Sequence, residues 1–368
     1  CGVCSTAHHL AAIKALEAIY QVEPPPAAVY IRELLMLGQL IQNQATSLFL
    51  FTMPDFPGSE GLPSMFEFGG DDANIARRAL EVRRVGTELI GLAGGQFIHP
   101  IRAVTGGVSS PLPEDGVRAL RERIASVLPL ACELFERYWE LFQGLHDRIG
   151  TLGDDTPSHY LASVEEGHAY YGGNLRVLDP DGVEQASFAP HEYQRYLTEQ
   201  PVENSYSNAT LFNGHVMRAN SLARLNLLPR LGTPIADIYM LRFQREWGHP
   251  AHAILLFDLA RGIELVYCLE KALEMLEHIP DGEIKAPYTP RDGEGCGVVE
   301  APRGPLIHHF NVVNGLVEKA RFIIPTQHNI LAIEQALMVA ARRYVHGDRI
   351  DLELERAVGR VVRAFDPC

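Results

Sequence analysis

Three cysteines at the two ends of the chain have the residue type and spacing of metal ligands. The sequence begins CGVCSTAHH, with Cys1 and Cys4 three positions apart, and it ends AFDPC, with Cys368 as the last residue. Two thiols three residues apart can bind one metal ion when the backbone turns into a helix. The same spacing occurs in redox pairs and by chance, so those interpretations stay open. Attachment of a c-type haem is excluded, because Ser5 rather than a histidine follows Cys4.

Cys4 and His8 are expected to share one face of a helix that starts at the N-terminal cysteines. Residues four apart on a helix lie one turn from each other. A thiol at a helix start has a lowered pKa, because the helix dipole and the free amides stabilise the thiolate. His8 could then bind a metal directly or donate an N–H to a cysteine sulfur. The other cysteines lack ligand spacing and are expected to be core or loop thiols: Cys132, Cys268 and Cys296.

The composition excludes several functional classes. The 368 residues are 46% hydrophobic and carry a formal net charge of -14, which allows a large core. An acidic chain without clustered Lys and Arg is not expected to bind nucleic acid or to insert in a membrane. The most apolar run, residues 28–54, contains Arg32, Glu33 and several amides, so it predicts a buried helix rather than a membrane span. Six cysteines are too few for a disulfide scaffold, which favours a reducing, cytoplasmic location.

The elements that must position these cysteines are mostly helices. Apolar residues recur at spacings of three and four in six segments: Leu10 to Tyr20, Val29 to Phe51, Asp72 to Leu92, Glu114 to Ile149, His252 to Glu277 and Thr326 to Tyr344. Asp181-Gly182 and Asn314-Gly315 favour hairpin turns. The predicted fold is mainly α, a large multi-helix body with small β-hairpin appendages, in a single domain over residues 1–368. Because both ends lie inside motifs and no Met comes first, we expect a piece of a longer subunit, truncated at both ends.

Four separated motifs cover the chain from one end to the other. They are CGVCSTAHH, GGQFIHPIRAVTGGVS, GCGVVEAPRGPLIHHF and AFDPC. Together they resemble the large, catalytic subunit of the NiFe hydrogenases. The pattern is most similar to the multisubunit cytosolic group, whose members are coupled to nicotinamide, deazaflavin or heterodisulfide partners.

The resemblance implies a set of ligands for a binuclear Ni–Fe centre. Cys1 and Cys368 match terminal nickel thiolates, and Cys4 matches a thiolate that bridges nickel and iron. The second bridging cysteine of the family falls beyond residue 368. His8 matches a histidine that hydrogen-bonds the bridging sulfur and so orients it. In this family the iron also carries cyanide and carbon monoxide.

The motif EAPRG supplies the second part of the implied site. Arg303 matches an arginine that lies over the open metal position, with Pro302 beside it and Asp366 holding it. From the residues alone, Pro302 fixes the backbone before Arg303, and a carboxylate two positions before Cys368 is well placed to pair with the guanidinium. An Arg–Asp pair taken by itself is more often a structural ion pair.

The implied reaction is the heterolytic cleavage or formation of H2. A Lewis-acidic metal accepts the hydride, and a nearby base, either a cysteine thiolate or the guanidine of Arg303, takes the proton. Electrons must leave through iron–sulfur clusters, and this chain has no set of cysteines that could hold one. An iron–sulfur small subunit and further electron-transfer subunits are therefore expected as partners. The family's proton-relay glutamate and most ligands of a structural magnesium fall outside this sequence.

Three alternatives remain at the level of the sequence. A quinone-site subunit of the complex I type is similar in fold but lacks the cysteines, and a structural zinc site would leave Arg303 without a role. A hydrogen sensor would carry the same residues as a catalyst. Asn43-Gln44 and Ser47 stand where many relatives carry an Asp or Ser followed by His, and a second His, so the family's hydrogen bonding over the metal position is not carried over to Asn43. Structural roles or subunit contacts are predicted for His99, His249, His308, His309 and His328.

Overall fold

Helices make up most of the chain. The structure is a computed structural model, and it describes residues 4–56, 74–146, 154–167, 169–203, 205–345, 347 and 352–368. The helices are α1 (Ser5–Tyr20), α2 (Pro26–Ala45), α3 (Ile75–Gly94), α4 (Glu114–Gln143), α5 (Tyr193–Tyr196), α6 (Ser221–Leu227), α7 (Pro234–Trp247), α8 (Leu256–Glu277), α9 (Pro325–Tyr344) and α10 (Leu352–Phe365). The strands are β1 (Ala103–Val104), β2 (Gly107–Val108), β3 (His159–Ala162), β4 (Leu175–Leu178), β5 (Glu184–Phe188), β6 (Leu197–Gln200), β7 (Ala209–Phe212), β8 (Met217–Arg218), β9 (Gly293–Ala301), β10 (Gly304–Val313) and β11 (Leu316–Ile323).

Each segment with helical spacing contains a helix, but some boundaries differ from the prediction. The long apolar segment divides into α2 and a π-helical turn at Thr46–Thr52. The helix α8 begins at Leu256, four residues later than expected, because the chain before it forms a turn in which Leu256 N donates to Ala253 O. The ends predicted at 72–73 and 147–149 lie outside the described residues. The helices α5, α6, α7 and α10 were not predicted.

Two helices, α2 and α8, form the centre of the molecule. The helix α2 packs against α3 and α8, and α4 packs against α3 and α8 from outside. Both central helices are buried on nearly every face, which is how a helix that is apolar all round is accommodated in a core. Within the described part of the chain, no helix combines the length and the apolar character that crossing a bilayer requires.

Small, mainly antiparallel sheets surround this helical body, and β3 and β8 form a parallel pair. Strands β9, β10 and β11 form one sheet in the order β11-β10-β9, and β3 and β8 extend the β4–β5 hairpin into a four-stranded sheet. Both predicted hairpin turns are confirmed. Gly182 has a positive φ of 81° between β4 and β5, and Asn314 and Gly315 have φ of 53° and 73° between β10 and β11. Such turns need the positive φ that these residues accept.

The helix α1 lies directly on β9 and β10, and this contact brings the start of the chain to the β9–β10 turn. The approach is close enough to require glycine: a Cβ on Gly297 would lie 2.3 Å from the carbonyl oxygen of Ala11. At the other end of the chain, α10 packs against α9 and α8. The first residues of α1, the β9–β10 turn and the last residues of α10 therefore meet in one place.

Candidate metal centre

The two described cysteines of the terminal motifs face each other. The Sγ atoms of Cys4 and Cys368 are 3.6 Å apart, although the residues are 364 positions apart in sequence. Two thiolates at about 2.3 Å from one metal ion lie roughly 3.3–3.8 Å from each other for square-planar and tetrahedral angles. The pair therefore has the separation of two ligands of one metal. Cys1 lies outside the described residues, and no group of three or more metal-ligating side chains occurs among the described ones.

Local chemistry at the end of α10 explains how Cys368 reaches this place. The helix ends at Phe365, and Asp366 adopts a left-handed conformation with φ of 49°. Its N–H donates to the carbonyl of Val362 at 2.9 Å, which is the pattern of a left-handed helix cap. Pro367 cannot continue the helix. The chain turns here, so that Asp366 and Cys368 both approach the β9–β10 turn.

Arg303 connects the two ends of the chain. It is buried in the two-residue turn between β9 and β10, and its Nη1 donates to Cys4 Sγ at 3.4 Å. Its Nη2 lies 2.8 Å from a carboxylate oxygen of Asp366, and its Nε donates to the backbone carbonyl of the same residue. The next residue must be glycine, since Gly304 has φ of 128° and a Cβ there would lie 2.6 Å from the Cβ of Ala219. The structure thus brings Arg303, Asp366, Cys4 and Cys368 together.

The two thiols titrate as a coupled pair. The hydrogen bond with Cys368, followed by burial, raises the pKa of Cys4 well above its ordinary value, and Arg303 only partly opposes this. The same hydrogen bond lowers the pKa of Cys368 to about 7. The expectation that the helix start lowers the pKa of Cys4 is wrong, because the hydrogen bond with Cys368 and burial raise it.

His8 contacts a second histidine that the sequence did not assign to the site. Its Nδ1 lies 3.0 Å from Nε2 of His308, on β10. Burial, and then the charge of His8, lower the pKa of His308 to about 3, so this ring is neutral. Among the described contacts, neither ring nitrogen of His8 reaches Cys4. Its hydrogen bond to a metal-bound sulfur therefore stays a prediction.

A buried ion-pair network holds the backbone beneath Arg303. Arg224, on α6, is fully buried between the carboxylates of Glu264 and Glu300. It also donates to the carbonyl of Pro302 at 2.9 Å. Burial raises the pKa of Glu300 to about 7, and Arg224 opposes that shift. The sequence analysis did not assign these residues to the site. The available signal was a charged side chain inside an apolar run, Arg224 in SLARLNL and Glu264 in LARGIELV.

Asn43 and Gln44 on α2 and Ser47 in the π-helical turn stand where many relatives carry other residues, and all three side chains are buried. Gln44 donates to Glu264 at 2.7 Å and to Ser221 at 3.1 Å, so it joins the same buried network. Asn43 Oδ1 and Ser47 Oγ are buried without a hydrogen-bond partner among the described residues. Whether relatives hydrogen-bond differently at these positions stays a prediction.

Most of the chain is similar to a known protein family. A family profile described as nickel-dependent hydrogenase matches residues 1–56 and 162–368. The chain belongs to the nickel-dependent hydrogenase family. The terminal cysteine motifs and EAPRG lie inside the matched residues, as do Arg224 and Glu264.

Individual hydrogenases match over nearly the whole chain. One subunit of the F420-non-reducing hydrogenase vhu of Methanocaldococcus jannaschii is 36% identical over 355 residues, covering 93% of this chain and 85% of the relative. An NAD+-reducing NiFe hydrogenase in its H2-reduced state is 30% identical with a TM-score of 0.93, covering 100% of this chain and 85% of that one. The Ni-Fe-Se hydrogenase of Desulfovibrio vulgaris Hildenborough shares the fold, with a TM-score of 0.79 at 19% identity over 100% of this chain and 86% of that one.

These matches confirm the main predictions from the sequence. The chain is a hydrogenase large subunit with a mainly α fold, and its relatives support the multisubunit group that its motifs predicted. The alternatives of a complex I-like subunit and a sensor are not favoured. The donor chemistry fits the family's Ni–Fe centre, since soft thiolates are the ligands that nickel and low-valent iron prefer.

Proposed function

We propose that Cys1, Cys4 and Cys368 bind the Ni–Fe centre of this hydrogenase subunit between the two ends of its single domain, residues 1–368. Cys1 and Cys368 would be terminal nickel ligands, and Cys4 would bridge nickel and iron. The observation that carries the proposal is the contact of one guanidinium, that of Arg303, with both Cys4 and Asp366. A structural zinc site would give this buried arginine no purpose. Cyanide and carbon monoxide on the iron belong to the same proposal.

The centre, when bound, supplies a Lewis-acidic site that takes up hydride from H2. The chain's own residues would shape the space in front of it and hold the proton. Pro302 and the two-residue turn fix where Arg303 begins, and Asp366 fixes where its guanidinium ends. His8 would orient the bridging sulfur.

A thiolate is the proton acceptor that the electrostatics favour. Burial opposes the charge of Arg303, but Asp366 and the two thiols more than compensate, so the pKa of the guanidinium is raised above its ordinary value. It stays protonated and acts as a donor of hydrogen bonds. The base would then be a cysteine sulfur, held 3.4 Å from Arg303 Nη1 in the case of Cys4.

Electron transfer requires partner subunits. No group of cysteines that could hold a cluster occurs among the described residues. The relative from Methanocaldococcus jannaschii is named as one subunit of its hydrogenase, which supports a complex for this chain. We propose an iron–sulfur small subunit as the direct partner, further electron-transfer subunits beyond it, and a cytoplasmic location. A structural magnesium would have most of its ligands outside residues 1–368.

The test is a metal and infrared measurement on the full-length subunit purified with its native partners. We expect about one nickel and one iron at this site per chain, with sharp cyanide and carbonyl stretches between the amide and C–H bands. Cys368→Ser should lose the nickel, because a hydroxyl is a poor ligand for it. Cys132→Ser is the matched control, since Cys132 is a free thiol on α4. Zinc without these bands, or full nickel content in Cys368→Ser, would contradict the assignment.

A further inference from the structure

The buried end of α10 is held by side chains from other parts of the fold. The last carbonyls of a helix have no partner within the helix and must find one elsewhere. Nη2 of Arg261, on α8, donates to the carbonyl of Ala364 at 2.5 Å. Nδ2 of Asn220, just before α6, donates to the carbonyl of Phe365 at 2.9 Å. Two consecutive carbonyls are therefore bound by two elements that are distant in sequence.

The same pattern continues to the end of the chain. Nε of Arg303 donates to the carbonyl of Asp366, and the N–H of Cys368 donates to Thr326 Oγ1 at 3.1 Å. The backbone from 364 to 368 is thus held mainly by side chains, and no strand pairing joins it to the rest of the described fold. We call residues 364–368 the terminal segment.

Arg261 is itself fixed in a way that leaves one donor group for the terminal segment. Its side chain is 1% exposed, and Nη1 forms an ion pair with Asp258 at 2.7 Å. The planar guanidinium can therefore direct its other terminal nitrogen at Ala364 with little loss of rotational freedom. The ring of Phe365 packs edge-on against Phe257, which immediately precedes Asp258. One short stretch of α8 thus makes two contacts with consecutive residues of the terminal segment, Ala364 and Phe365.

Asn220 occupies a backbone conformation that ordinarily requires glycine. Its φ is 93° and its ψ is -174°, a region in which a side chain is strained. Strain of this kind persists only when the surroundings over-determine it. The side chain is fully buried, and its Oδ1 accepts from the N–H of Ser221 at 2.6 Å while its amide nitrogen binds Phe365. The amide nitrogen of Asn220 is thus used to bind the terminal segment.

We propose that Arg261 and Asn220 are positioning residues for Cys368. They donate hydrogen bonds to the carbonyls of Ala364 and Phe365 at the end of α10. These bonds fix the position of the start of the terminal segment, and therefore the position of the Cys368 sulfur that faces Cys4. They touch neither the metal position nor the substrate. The consequence for nickel rests on the ligand role proposed above for Cys368, whereas the docking of the terminal segment does not.

Arg261→Lys is the first test, because it keeps the charge beside Asp258 and loses the donor to Ala364. The full-length subunit in its native complex would be examined by hydrogen–deuterium exchange of the peptide containing residues 361–368. We expect roughly five- to tenfold faster exchange in that peptide, as for the loss of one buried hydrogen bond. Nickel should also pass to a chelator at least about fivefold faster.

Arg218→Lys is the matched control. Arg218 is also 1% exposed, pairs with Asp154 at 2.7 Å, and donates to the carbonyl of His252 at 2.5 Å. The two arginines therefore lose the same kinds of contact, but only one of them serves the terminal segment. In Arg218→Lys the exchange of the terminal peptide and the release of nickel should match the unaltered protein.

Asn220→Asp provides a second, nearly isosteric variant in case Arg261→Lys fails to fold. It keeps the oxygen that accepts from Ser221 and replaces the donor to Phe365 with a repelling carboxylate oxygen. Its control is Asn226→Asp on α6, where the amide nitrogen donates to the carbonyl of Ala251 at 2.9 Å. Only the first of these two variants should accelerate exchange in the terminal peptide.

Three outcomes would overturn the proposal. The terminal peptide could exchange at an unchanged rate in Asn220→Asp and in a folded Arg261→Lys, or it could be equally accelerated in the controls. Exchange could also accelerate while nickel release stays unchanged, which would mean that docking has no bearing on Cys368. If the unaltered protein binds no nickel, the proposed function fails, and the exchange rates still decide whether these residues dock the segment.

Discussion

At the scale of single residues, the site depends on how the hydrogen-bond donors of Arg303 are divided between Cys4 and Asp366. Arg303 directs one nitrogen to a sulfur from the start of the chain and two to a residue near its end. A lysine ammonium carries the same charge but has neither the planar shape nor the spread of donors. Charge alone would therefore leave the arrangement incomplete.

Arg303→Lys should lower hydrogenase activity by about a hundredfold or more, in line with the loss of one preorganised hydrogen-bond donor at an active site. Nickel content should remain near that of the unaltered enzyme, since no ligand is changed. Hydrogen-dependent dye reduction and metal analysis on the same sample measure both. Arg176→Lys, in an exposed pair with Glu184, is the control and should keep full activity. Undiminished turnover in Arg303→Lys would remove Arg303 from the mechanism.

The sequence could identify the residues at the ends of this contact network but not those in its middle. Cys4, Arg303 and Asp366 stand in short motifs with recognisable chemistry. Arg224 and His308 become part of the site only through strand register and helix packing, which a one-dimensional pattern does not contain. The pKa of Cys4 was mispredicted for the same reason, because its partner Cys368 is a neighbour only in space.

At the scale of elements, the decisive contact is that of α1 with the β9–β10 hairpin. The helix lies so close to the strand that a Cβ on Gly297 would stand 2.3 Å from Ala11 O and 2.5 Å from Ala15 N. These are backbone atoms, which cannot move aside as a flexible side chain could. The position of Cys4 relative to Arg303 is therefore set by this packing.

Gly297→Ala should destabilise the protein by about 3 kcal/mol, the upper range for an overpacked site. The apparent unfolding temperature in a thermal scan should fall by about 5 °C. The control is Gly91→Ala in α3, where an added Cβ meets nothing within 4 Å. That variant should be neutral or slightly stabilised, because alanine is the better helix former. Equal stability of Gly297→Ala and Gly91→Ala would show that α1 can shift without cost.

Helices with long apolar faces were predictable, and those with short or charged ones were not. The helix α10 buries only Ala357, Val361, Ala364 and Phe365, so its apolar stripe is short, although the charged residues between these positions make the helix amphipathic. The π-helical turn after α2 has the same composition as a continued helix, so nothing in the sequence distinguishes it. The hairpin turns were predictable because Asn-Gly and Asp-Gly have a specific backbone preference.

At the scale of the whole molecule, buried neutral histidines make stability depend on pH. His328 lies on α9, with Nε2 at 3.0 Å from the carbonyl of Pro305 and Nδ1 at 2.7 Å from Thr210 Oγ1. Burial lowers its pKa from 6.5 to about 4, and the hydrogen bond to Pro305 only partly opposes this. The unfolded chain binds the proton more tightly than the folded one, so this contribution is complete above pH 6.5 and is lost as the pH falls towards 4.

His328→Gln should weaken the acid sensitivity of the fold. The shift in pKa corresponds to about 3 kcal/mol of stability between pH 6.5 and 4. Glutamine can donate and accept at the same place without titrating. Apparent unfolding temperatures across that range should therefore fall less steeply for His328→Gln than for the unaltered protein or for His191→Gln, at an exposed histidine. Parallel slopes in all three proteins would refute the assignment.

The separation of Cys4 from Cys368 has a consequence for how the protein is made. The two sulfurs are 364 positions apart in the chain, so the ribosome joins the second long after it has joined the first. Synthesis proceeds at about 5–20 residues per second, and the earlier thiol therefore waits for roughly half a minute without its counterpart. With Cys368 as the ligand proposed above, the nascent polypeptide holds no complete site during that time, and the site is completed only once residue 368 has been added.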